Sequence, residues 1–187
     1  MNELSLHILD VCQNSIKANA SLIEILVVED TKTNLFCITI KDNGSGMNKK
    51  TLSQVADPFF TTRTTRKVGM GVSLFKMACE MTEGTFIIES EPNNGTSVIA
   101  SFGHNHIDRA PLGRIEETLM ILVLNEENID IYYEHKYNEN TFVFDTREVK
   151  KVLDGIPFTN YDVIMWVKDN IKEGIQDIHK EETKWNH

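Results

Sequence analysis

Two groups of residues in this sequence are spaced to act on one ligand. Asp10, Asn14 and Lys17 follow one another at intervals of four and three, which sets them on one face of a helix. Farther along, Arg63, Arg66 and Lys67 stand just ahead of Gly69-Met70-Gly71, where an amphipathic segment begins. The first N–H groups of a helix have no intrahelical partner, and the helix dipole is positive there. Glycines let the backbone approach a ligand closely, and neighbouring cations complete an anion site. A solvated polar face accounts for the first group taken alone, and a basic loop that happens to contain glycines accounts for the second. The rest of the chain must decide.

The elements that would position these residues follow from periodicity. Leu4 to Ala18 is helical, with Leu4, Ile8, Val11, Cys12 and Ser15 on one face and His7, Asp10, Asn14 and Lys17 on the other. His7 is therefore expected to be a partly exposed helix residue. Two strand-like runs follow, SLIEILVVE and NLFCITIKD, with the polar turn DTKTN between them. The turn cluster DNGSGM leads to a short helical piece over Lys49 to Val55, and a second helix runs from about Gly71 to Thr82. TFIIES and TSVIASF are two further strands around EPNNG. The order helix, two strands, helices, two strands predicts an α/β fold, a two-layer sandwich of a mixed β-sheet with helices on one face.

The character of the chain changes at GHNHIDRAPLG, residues 103–113, so the boundaries predicted are 1–103 and 104–187. The second unit reads as a small α+β domain: a helix over Ile115 to Leu124, a hairpin around Asn138 to Asn140 and two more helices. Asp145 and Glu148 have the spacing of a capping box, and the polar tail from His179 is expected to fray.

Composition narrows the classes. The formal charge of −9 over 187 residues argues against a general nucleic-acid binder. Cys12, Cys37 and Cys79 lie in apolar segments and read as reduced core thiols, which with the lack of a signal peptide or membrane-length run predicts a cytoplasmic protein with no membrane association.

Four sequence boxes occur in one order: DVCQNSIKANA, DNGSGM, DPFFTTR with GMGVSL, and GTS. In this combination residues 6–102 resemble the GHKL superfamily of Bergerat-fold ATP-binding domains, which includes gyrase, a heat-shock chaperone, histidine kinases and MutL-type repair proteins. Spacing and residue type are most similar to histidine kinases, while the first box resembles that of MutL. The resemblance implies ATP and Mg²⁺ as cofactors, with Asn14 as the magnesium ligand and Asp10 in the place of the acid that polarises the attacking water. It implies that Lys17 and Arg63 reach the phosphates, that Gly69, Gly71 and Val72 form the phosphate-side helix start, and that Asp42 accepts the adenine amino hydrogen. By the same resemblance Gly44 and Gly46 would allow the close turn beside the base, Met47 would pack near it, and Thr96 would help hold water there. Residues from about Thr61 to Val68 correspond to the lid over the nucleotide, with Phe59 and Phe60 anchoring it.

The resemblance implies a stand-alone member without the helical phosphoacceptor domain, since Met1 lies only a few residues before the first box. The segment HIDRAPL matches a phosphoacceptor motif in part, which makes His106 a candidate acceptor, set against a structural hinge. His104, His135 and His179 belong to no motif. Three functions remain open: a signalling or regulatory protein that hydrolyses ATP slowly or passes phosphate to a separate protein partner, an ATP-gated interaction module with little chemistry, and a MutL-like switch. The C-terminal unit is a candidate surface for a homodimer or a partner.

Overall fold

The computed structural model describes residues 3–55, 70–125 and 128–180. Helix α1 (Leu4–Lys17) precedes the strands β1 (Leu22–Asp30) and β2 (Leu35–Asp42). Next come α2 (Lys49–Val55), α3 (Met70–Glu80), β3 (Phe86–Ser90) and β4 (Thr96–Gly103). The remainder comprises α4 (Ile115–Asn125), β5 (Asp130–Tyr137), β6 (Asn140–Asp145), α5 (Thr146–Leu153) and α6 (Tyr161–Lys180). One six-stranded sheet runs in the order β3-β4-β2-β1-β5-β6. Its pairs are antiparallel except β1 with β5, so the sheet is mixed. The segment expected to form a C-terminal unit thus extends the sheet of the first from its β1 edge.

Alternation along the strands decides which face is covered. Ile23, Ile25 and Val27 of β1, Phe36, Ile38 and Ile40 of β2, and Val98, Ala100 and Phe102 of β4 are all buried in one core. Ile131 and Tyr133 continue that core in β5. Helix α1 lays Leu4, Ile8, Val11 and Cys12 into the same core, and α3 adds Phe75 and Cys79. Cys12, Cys37 and Cys79 are free thiols, and burial pushes each one's pKa up.

His7 departs from the sequence expectation. It is only 3% exposed and stacks on Phe75, with ring centroids 5.0 Å apart and planes 8° from parallel. The polar face of α1 is therefore interrupted where α3 crosses it, and a histidine fills an apolar contact there. Among the described residues, its Nδ1 is a buried atom with no hydrogen-bond partner. Burial lowers its pKa to about 4.

Among the described residues, no side chain caps the start of α1. The N–H groups of Leu4 and Ser5 instead donate to the carbonyls of Pro111 and Leu112, at 2.9 and 2.8 Å. The change-of-character segment is accordingly fastened to the first helix. Asp145 caps α5 by accepting from the Arg147 N–H, as expected, but Glu148 pairs with Lys151 rather than closing a capping box. No described helix is long and apolar enough to cross a membrane.

Candidate functional site

The ends of three neighbouring strands meet at one side of the sheet. Asp42 closes β2 opposite Thr96, which opens β4, and Thr96 lies opposite Ser90 at the end of β3. Ser90 stands beside Thr96, and Asp42 and Thr96 line a cleft of about 320 Å³. Its walls are Val11, Asn14, Ser15 and Lys17 from α1, Gly46 and Met47 from the following turn, Val55 from α2, Val72 from α3, and Ile88, Thr96 and Val98 from the sheet. A mostly apolar hollow with a few convergent polar groups is the usual form of a small-molecule site.

Hydrogen bonds to backbone and side chains hold these polar groups in place. Asp42 Oδ1 accepts the Gly44 N–H at 2.9 Å, and Oδ2 accepts the Ser15 hydroxyl at 2.6 Å. A carboxylate has about four lone-pair sites, so two remain for a ligand while the group stays fixed. The Ser90 hydroxyl donates to the Gly95 carbonyl and accepts the Met47 N–H. Its one proton is thereby used, so in its 2.9 Å contact with Thr96 the threonine donates. Thr96 consequently offers only acceptor lone pairs to the cleft. Gly46 sits at φ +63°, and a Cβ there would run into the Glu91 carbonyl. The turn beside the cleft therefore requires glycine at that position.

A second part of the site lies where α3 begins. A Cβ placed on Gly71 would come within 2.7 Å of Asp10 Cβ and 2.8 Å of Asp10 Oδ2. The positive end of α3 thus abuts the Asp10 carboxylate, with Asn14 one turn farther along α1. Burial raises the Asp10 pKa, and the charge of Lys17 offsets part of that rise. A carboxylate shifted this way keeps its proton to higher pH than an exposed one and is a stronger base once ionised.

Of the residues singled out in the sequence, the cleft joins Asn14, Lys17, Asp42, Gly46, Met47, Val72 and Thr96. Gly44 supports Asp42 from behind, and Asp10 with Gly71 lies at the helix junction. Arg63 and Gly69, the lid from Thr61 to Val68, and Phe59 and Phe60 lie outside the described residues. His106 is not brought to the cleft. Strand β4 runs from Thr96 beside Asp42 to Gly103 beside Leu35, so His106 lies beyond the far end, about 24 Å away at ~3.4 Å per residue. There its Nδ1 accepts the Asp108 N–H within a turn. Ser15 and Ser90 were missed, because a serine beside a recognised motif has no signal of its own until its partner strand is known.

Residues 2–105 match the family described as "Histidine kinase-, DNA gyrase B-, and HSP90-like ATPase". The chain belongs to that family, and an ATP-binding role follows from it. Sporulation kinase A of Bacillus subtilis is 26% identical over 103 residues, covering 54% of this chain and 16% of that protein. Sensor protein kinase FleS of Pseudomonas aeruginosa is 31% identical over 110 residues, 59% of this chain and 27% of that one. The match therefore takes in only about a quarter or less of these relatives' lengths. Among solved structures, the Aquifex aeolicus MutL ATPase domain complexed with ADP aligns over 82% of this chain and 70% of that chain, at 14% identity and a TM-score of 0.47.

Proposed function

We propose that this chain binds Mg-ATP and either hydrolyses it slowly or passes its γ-phosphate to a separate protein in a signalling or regulatory role. The observation that carries this reading is the fixed Asp42 carboxylate in an apolar cleft, with both oxygens already held by Ser15 and Gly44. An adenine amino group donates to such an acceptor, whereas the guanine carbonyl at the corresponding position would be repelled. Thr96, restricted to accepting, suits a water or amino hydrogen beside the base.

The phosphates would extend toward the start of α3. There the Asp10 carboxylate abuts the helix start, and an anion would not rest against it without a cation between them. The oxygens of Asp10 and Asn14 are hard donors of the kind Mg²⁺ takes alongside phosphates and water, so the residues present fit the ion. Bound magnesium would neutralise the phosphate charge, with Asn14 as its ligand. Asp10 would orient and deprotonate the attacking water or acceptor hydroxyl, and Lys17 would contribute charge at the phosphates.

One observation favours a second reading, the ATP-gated interaction module. Tyr161, Met165 and Trp166 stand exposed together on α6, at 73%, 40% and 48%. Large apolar side chains grouped on one helix are suited to a protein partner. Turnover of γ-labelled ATP, following free phosphate and label on added protein, tests both readings against an Asn14→Ala control. Mg²⁺-dependent product lost in the control supports chemistry. Binding without product supports the gated module, and no binding sinks both.

A further inference from the structure

At the opposite end of the sheet from the nucleotide cleft, the inward-facing rows of three strands finish on polar residues. In β1 the row Ile23, Ile25, Val27 ends on Glu29, which is 8% exposed. In β5 the row Ile131, Tyr133 ends on His135, which is 1% exposed. The row of β4 ends just beyond the strand on His104. Helix α6 brings His179 to the same point, with its ring 4.2 Å from Tyr137; the tail expected to fray beyond it, residues 181–187, lies outside the described residues.

All three imidazoles present Nε2 to one carboxylate. His135 Nε2 lies 2.8 Å and His179 Nε2 3.1 Å from Glu29 Oε1, while His104 Nε2 lies 2.8 Å from Oε2. The other nitrogen of each ring is fixed: His135 Nδ1 by the Tyr133 hydroxyl at 2.9 Å, His179 Nδ1 by the Ile175 carbonyl at 2.7 Å, and His104 Nδ1 by Asn105 Oδ1 at 3.1 Å. Orientation of Nδ1 by a carbonyl or hydroxyl, leaving Nε2 to converge, is the arrangement that supports histidine ligands of metals.

The protons sharpen the point. A carbonyl only accepts, so His179 Nδ1 carries a hydrogen. In a neutral ring His179 Nε2 then turns a lone pair toward a carboxylate oxygen, which is repulsive unless a cation lies between them.

We propose that Glu29, His135 and His179 form a binding site for a divalent transition ion of the zinc or ferrous class, with His104 as the positioning residue that holds the second carboxylate oxygen. The three ligand atoms lie within 4.8 Å of one another. An ion about 2.0–2.2 Å from each ligand would space tetrahedral neighbours by about 3.3–3.6 Å, so the His135 and His179 contacts with Glu29 Oε1 would open by roughly half an ångström or a little more and by a few tenths, respectively. Two imidazoles and one carboxylate leave at least one coordination position for water or an anion. A cavity of about 350 Å³, lined also by Arg109, Lys172 and Gln176, reaches Glu29, His135 and His179 and gives the ion its path. From Ile23, beside Asp42, to Glu29 the strand spans about 20 Å, so this site is separate from the magnesium expected at Asn14.

The test uses tag-free, chelator-treated full-length protein in excess Mg²⁺, titrated with Zn²⁺, with Fe²⁺ under anaerobic conditions, and with Co²⁺ as a spectroscopic probe. We expect one ion per chain at roughly micromolar affinity or tighter, with visible Co²⁺ bands of low coordination number. His179→Ala and the milder Glu29→Gln should each weaken binding more than 100-fold, and His104→Gln by about 10–100-fold. His179 is partly exposed, so its variant should keep the wild-type circular dichroism while losing the Co²⁺ bands. Binding of none of the three, as for an imidazolium that simply pairs with Glu29, overturns the proposal. So does Co²⁺ uptake that survives both His179→Ala and Glu29→Gln.

Discussion

His7 makes stability depend on pH in a direction that its surroundings fix. It sits between α1 and α3, stacked on Phe75, and burial lowers its pKa from 6.5 to about 4. Above pH 6.5 the ring is neutral in both folded and unfolded chains and contributes no pH dependence. Between 6.5 and 4 the unfolded chain takes up a proton that the folded chain refuses, so stability falls as pH falls. Below about 4 the folded chain takes the proton too, and the loss levels off. A shift of that size corresponds to about 3 kcal/mol at about 1.4 kcal/mol per unit. Replacing the ring by His7→Phe keeps an aromatic partner for Phe75 and removes the orphaned Nδ1, which should add about 1 kcal/mol at pH 7.5. Urea unfolding of both proteins at pH 7.5, 6, 5 and 4 measures the difference directly. Other groups titrate in both and cancel. The variant's advantage should grow by about 3 kcal/mol between pH 7.5 and 4. Parallel curves would refute the placement of a neutral histidine at this contact.

Three further outcomes follow from the same structure. Asp10→Asn should retain ATP binding but lose about 10²–10⁴-fold in turnover, and the wild-type acid limb should lie above that of an ordinary carboxylate because burial raises the Asp10 pKa. Activity should therefore be lost as pH falls through that raised value, which a pH–rate profile checks. Gly71→Ala places a methyl against Asp10, so calorimetry should show ATP affinity reduced at least 10-fold while thermal unfolding moves by only about 1–3 kcal/mol. Ile25→Ala, at a fully buried position in the middle of β1, should cost about 2–5 kcal/mol in urea unfolding.

What the sequence made legible was local. Asp42 with its glycines, Gly71 at a helix start and Thr96 after a tight turn are each marked by residue types that only certain backbones accept. The α1 face carrying Asp10, Asn14 and Lys17 follows from helical spacing alone. What stayed hidden depends on pairing between distant segments. Ser15 and Ser90 acquire their roles only when β2, β3 and β4 align and α1 lies across them. His7 looked like part of a polar face because nothing in α1 reveals that Phe75 will cover it. The histidines around Glu29 are separated by tens of residues, and they meet only because β5 adds to β1 in parallel register and α6 returns across that edge. A glutamate in the inward position after Ile23, Ile25 and Val27 was the one signal available beforehand.

The most direct measurement is a calorimetric titration of the protein with Mg-ATP and Mg-GTP, alongside Asp42→Asn. The fixed carboxylate should favour ATP over GTP by at least 100-fold, and the variant should lose about 30–100-fold of its ATP affinity, in keeping with about 2–3 kcal/mol for a hydrogen bond to a charged group. Equal binding of the two nucleotides, or ATP affinity that survives Asp42→Asn, would contradict the adenine pocket and with it the account given of this cleft.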